Sequence, residues 1–101
     1  MAAPFDIDLL DEGDAFEIDE QAAHLFKHTG FGIDDIYDAW HSDPLFYPAK
    51  APARWLMVSE VGGRILAVPL APPDSGDPTR CLPIGCYDAA DHLALRYRKD
   101  R

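Results

Sequence analysis

The sequence of 101 residues is poor in positive charge, poor in cysteine and free of long apolar runs. Nine Lys and Arg stand against 18 Asp and Glu, a formal charge of −9. Such a balance repels phosphate and excludes a chain that holds nucleic acid through its net field. The two cysteines, Cys81 and Cys86, form no Cys-x-x-Cys pair, so zinc-site spacing is missing. Five positions apart on one regular strand, they would sit on opposite faces at about 17 Å, whereas a disulfide needs Cα atoms within about 7 Å. Both are expected as reduced, half-buried packing thiols. No stretch approaches the roughly 20 apolar residues of a membrane span. Met1-Ala2-Ala3-Pro4 has neither the basic start nor the apolar run of a secretion signal. The expectation is a cytoplasmic protein with no membrane partner.

What is present is enough for one fold. The apolar fraction of 48% is near the globular average, and the length suits one domain. Charge is divided unevenly. Residues 1–43 hold 12 Asp or Glu and one Lys, a balance of −11; residues 44–101 hold 8 Lys or Arg and 6 Asp or Glu, a balance of +2. Residues 1–14 are expected to be acidic and poorly ordered, and 15–101 to form the domain.

Periodicity sets the expected elements. Phe16-Glu17-Ile18 alternates like a short strand. Asp19 suits a helix N-cap, and Gly30 a C-cap, for a first helix over Glu20–Thr29. Ile33, Ile36, Tyr37 and Trp40 recur on one helical face, predicting a second helix over Ile33–His41 that Ser42-Asp43-Pro44 ends. Leu45-Phe46-Tyr47, Arg54–Val61, Arg64–Leu70 and Arg80–Tyr87 read as strands, with Gly62-Gly63 as a hairpin turn and Pro83 at an edge or bulge. Asp88 is a plausible N-cap for a last helix whose stripe is Ala90, Leu93, Ala94 and Tyr97. The expected fold class is α+β: two N-terminal helices and a C-terminal helix packed on one face of an antiparallel sheet of about four strands.

Taken in order, several pieces resemble the BrnT toxin family. They are Phe16-Glu17-Ile18-Asp19, Lys27-His28 before Gly30, Asp43-Pro44, Arg54-Trp55-Leu56-Met57-Val58, Gly63-Arg64-Ile65-Leu66, Leu82-Pro83-Ile84, Asp88-Ala89 and Tyr97. The resemblance implies a RelE-like fold. It also implies the toxin of a type II toxin–antitoxin system, a ribosome-independent endoribonuclease. Its partner would be a cognate antitoxin in a hetero-oligomer, reaching operator DNA only through that antitoxin. Two positions depart from the family pattern. Tyr87 stands where an arginine is expected before the last helix, and Ala49-Lys50-Ala51-Pro52-Ala53 replaces a charged loop. These departures motivate an alternative, a non-catalytic protein-binding module on the same fold.

Metal-independent RNA cleavage needs a base for the 2′-hydroxyl, an acid for the leaving oxygen and cations for the phosphorane. Arg54, Arg64, Tyr87 and His28 are the catalytic candidates, and Lys50 and Arg80 the RNA-binding ones. Arginine fits because its planar fork matches phosphate oxygens. Across the hairpin, however, Arg54 and Arg64 fall some 20 Å apart. Each candidate also has a plainer role: surface ion pairs for the arginines, helix capping for His28, solvent for Lys50. His24 and His28 make half a metal site with no third ligand, so no metal and no cofactor is expected.

Overall fold

A computed structural model of the chain describes residues 7–18 and 30–101. The expected first helix, with His24, Lys27 and His28, lies outside the described residues. Within them the elements are a 3-10 turn at Ile7–Leu9, α1 (Ile33–Trp40), β1 (Leu45–Pro48), β2 (Trp55–Val61), β3 (Arg64–Ala71), β4 (Leu82–Pro83), β5 (Tyr87–Asp88) and α2 (Asp91–Asp100). The class is α+β, with two α-helices and a five-stranded sheet among the described residues. All strand pairs are antiparallel: β1 with β2, β2 with β3, and β3 with both β4 and β5.

The Gly62-Gly63 turn fixes the central hairpin. Both glycines have positive φ, 59° and 82°, as a two-residue turn matched to strand twist requires. Val61 therefore pairs with Arg64, and the register runs back to Trp55 opposite Leu70. Phe16-Glu17-Ile18, expected as a strand, shrinks to one parallel bridge between Phe16 and Cys81. Two bonds of 2.8 Å hold it: the Cys81 N–H donates to the Ala15 carbonyl, and the Glu17 N–H to the Cys81 carbonyl.

The helices lie on opposite faces of the sheet, not on one. Ile36 and Ala39 of α1 share a core with Leu10, Phe16, Met57, Leu66, Val68, Leu70, Cys81 and Cys86. Tyr97 of α2 packs with Tyr47, Val58 and Ile65, and Leu93 and Ala94 join them. The reason is in β3. Ile65, Leu66, Ala67 and Val68 are buried in succession, so both faces of this strand are apolar and both need cover. Burying each large side chain contributes about 1.5–3 kcal/mol.

The helix starts differ in chemistry. The Asp35 carboxylate accepts the Gly32 N–H at 2.8 Å and so caps α1. Asp88, expected to cap the last helix, instead belongs to β5; α2 begins at Asp91 behind Ala90, with no side-chain cap. Asp88 is drawn away by Arg64, which offers it two charge-assisted bonds where a cap offers one.

The last expected strand, Arg80–Tyr87, is broken in two. Leu70 faces Pro83 and Leu66 faces Asp88, so four steps along β3 match five along the returning chain. One extra residue therefore bulges between β4 and β5. Pro69 sits opposite this break. Its carbonyl accepts the Ile84 N–H at 3.0 Å, so its missing N–H also faces that side.

Candidate functional site

Among the described residues, those expected to serve RNA chemistry do not converge. Arg64 stands at the hairpin turn, while Arg54 precedes Trp55 at the far end of the same ribbon. Tyr87 pairs with Ala67 near the middle of β3, and its ring is exposed. Lys50 is exposed in the loop after β1, beside the cis Ala51–Pro52 bond.

Two of the three arginines are already engaged. Arg64 donates from Nε and Nη2 to the Asp88 carboxylate, at 3.0 and 2.7 Å. Its guanidinium also lies over the Phe31 ring, 4.8 Å from the centroid. Arg64 in turn holds the Asp88 carboxyl below the usual carboxylate range. Arg80 donates from Nη2 to the Phe16 carbonyl at 2.8 Å and to Asp14 at 3.3 Å. It works as a strap that fixes residues 14–16 against the start of β4. Arg54 is exposed, and its side chain has no partner among the described residues.

Arg96 of α2 and Arg101 just after it are similarly engaged. Arg96 lies over the Tyr47 ring and beside Asp100. Arg101 lies over Tyr97 and beside Glu60. Tyr47 donates its hydroxyl to Asp100 at 3.0 Å, and burial with that carboxylate raises its pKa. Among the described residues no cluster of three or more His, Cys, Asp or Glu is placed to hold a metal ion.

A recess lies elsewhere, in the acidic part of the chain. An open cleft of about 840 Å³ is lined by Glu12, Gly13, Trp40, His41, Asp43, Pro44, Leu45 and Phe46. Three segments build it. The Trp40 indole N–H donates to the Glu12 carbonyl at 3.0 Å and ties the N-terminal segment to the end of α1. Asp14 accepts the Tyr37 hydroxyl at 3.2 Å, and burial plus this carboxylate raises the tyrosine pKa. Asp43, with φ of 54°, then turns the chain from α1 into Pro44 and the β1 edge.

Apolar surface forms the floor of this cleft. Trp40 packs edge-to-face on Phe16 at 5.7 Å and on Phe46 at 6.1 Å. Exposed Glu12 and Asp43 stand beside it. The sequence placed Trp40 in the core and Asp43 in a helix stop, and singled out neither Glu12 nor Phe46. The excess of carboxylates in residues 1–43 was the available signal.

The chain matches no protein-family model, no curated protein and no solved structure. The functional reading therefore rests on the residues themselves.

Proposed function

We propose that the chain is the toxin-side member of a two-protein pair, a cytoplasmic RelE/BrnT-like domain whose main activity is to hold a basic cognate antitoxin. Operator DNA would be reached only through that partner. The observation that carries the reading is the cleft at Trp40 and Phe46, an apolar floor flanked by the Glu12 and Asp43 carboxylates. Such a surface complements a partner with cationic and apolar side chains. The engagement of Arg64 and Arg80 with Asp88, Asp14 and Phe16 supports binding ahead of catalysis.

Co-expression with the product of the neighbouring gene tests it. The expected result is a stable complex that dissociates as salt rises, because surface charges are screened. A neighbour that is not basic, or no complex at low salt, overturns the proposal.

A second reading is the endoribonuclease. It is favoured by Arg54, exposed and with no side-chain partner among the described residues, and by the exposed Lys50 on its neighbouring loop. Purified chain incubated with RNA, beside Arg54→Ala, decides it. Cleavage lost in the variant supports the nuclease; no cleavage, or equal cleavage by both, removes it.

A further inference from the structure

We infer that the open edge of β1 accepts an extended, lysine- or arginine-rich segment as an added strand, with Phe46 supplying the backbone contacts. The inference deepens the partner-binding reading and rests on it.

The register determines which backbone groups are available. In an antiparallel ladder, successive residues direct their N–H and C=O to alternate sides. The Gly62-Gly63 turn makes Val61 and Arg64 a bonded pair, so odd-numbered residues of β2 bond toward β3 and even-numbered ones toward β1. Leu45 and Tyr47 face Val58 and Leu56 and so bond inward. The Ala49 N–H, donating to the Arg54 carbonyl at 3.1 Å, continues that phase. Phe46 and Pro48 consequently turn outward. Among the described residues β1 pairs with β2 alone, so the Phe46 N–H and C=O face an open edge.

The cleft lies on that same edge. Leu45 and Phe46 belong to opposite faces of the sheet, one packing with the α2 core and the other with the α1 core. Both line the recess, which therefore reaches the β1 edge. Pro44 and Pro48 bracket the stretch. Pro48 removes the next outward donor, which keeps the edge short and blunts pairing between copies of the chain.

Charge selects the occupant. A strand laid along Phe46 would bring alternate side chains onto the Trp40 and Phe46 surface, beside Glu12 and Asp43. Lysine or arginine there meets carboxylates with aliphatic stems over the rings. A second copy of this chain, with charge −9, brings like charge to the same place.

The test uses the full chain, labelled with nitrogen-15, and a short synthetic peptide alternating lysine and valine. A glutamate–valine peptide is the charge control. At low salt the lysine peptide is expected to shift the Phe46 amide and slow its hydrogen exchange, while the glutamate peptide does neither. Glu12→Gln with Asp43→Asn should weaken binding about tenfold, the effect of losing two surface charge pairs. Phe46→Leu keeps the outward N–H and loses only the ring, so it should weaken binding less than Phe46→Pro, which removes that N–H and should abolish it. Should Phe46→Pro fail to fold, the exchange rate at Phe46 in the unaltered chain decides.

No peptide binding, equal binding of both peptides, protection at other amides, or self-association of the chain overturns the inference. A complex with the neighbouring protein that persists in Phe46→Pro removes the edge assignment and leaves the partner reading standing. Peptide capture at Phe46 without any complex with the neighbouring protein does the reverse.

Discussion

Cys81 and Cys86 lie on the same face of the sheet and in one buried core, although five positions separate them. The extra residue between β4 and β5 makes this possible, since it flips the alternation once between the two thiols. Neither side chain is exposed, and both are free thiols. Burial pushes each thiol up to about 12 from 9.0.

Reactivity should follow. A thiol that stays protonated is a poor nucleophile. Native protein at pH 8 is expected to resist a thiol-reactive dye and to react with both cysteines once unfolded. Rapid native labelling of either residue would contradict the burial described.

The same thiols make stability depend on alkaline pH. Their folded pKa lies above the unfolded one, so their contribution is complete below about pH 9 and is lost as pH rises toward 12. By pH 10 each costs on the order of 1 kcal/mol. Urea unfolding at pH 8 and pH 10 measures this, and Cys86→Ala should flatten the slope by about half.

The pair Arg64 and Asp88 titrates in the opposite sense. The bonds from Arg64 lower the Asp88 carboxyl, so the stability they contribute is present at neutral pH and lost as pH falls through the folded value. Carbon-detected NMR titration should place the Asp88 carboxyl below the usual carboxylate range, and Arg64→Gln should return it to that range. An unchanged midpoint would mean that the two groups do not interact in solution.

Arg80 should matter more to local order than its place near the surface implies. Arg80→Ala removes the strap to Phe16 and Asp14 and is expected to cost about 2 kcal/mol, typical of a charged hydrogen bond to a buried carbonyl. Exchange at the Glu17 and Cys81 amides should accelerate in that variant before exchange in β2 and β3 does. Uniform acceleration everywhere would point to global unfolding instead.

At the hairpin turn, Gly63→Ala places a side chain at φ of 82° and should cost about 1–2 kcal/mol. Gly62→Asn, at φ of 59°, should be tolerated because asparagine visits that region readily. Thermal melts of the two variants provide the comparison, and equal losses would argue against this turn geometry.

By itself the sequence determined the helix from Ile33, to within one residue of its end at Trp40, the hairpin about Gly62-Gly63 and the apolar stripe of the last helix that ends at buried Tyr97. These features arise from local periodicity and turn chemistry, which neighbours along the chain largely decide. It also put Arg54 and Arg64 at opposite ends of one ribbon, because a two-residue turn fixes register. Only the tertiary structure decided that the helices cover opposite faces, that Asp88 pairs with Arg64 instead of capping α2, and that Pro69 stands opposite a bulge. Each depends on contacts between residues far apart in sequence, whose strength no local pattern encodes. The cleft at Phe46 is of the same kind. Glu12, Trp40 and Asp43 are ordinary in sequence, and they surround an open strand edge only after the chain has folded back upon itself.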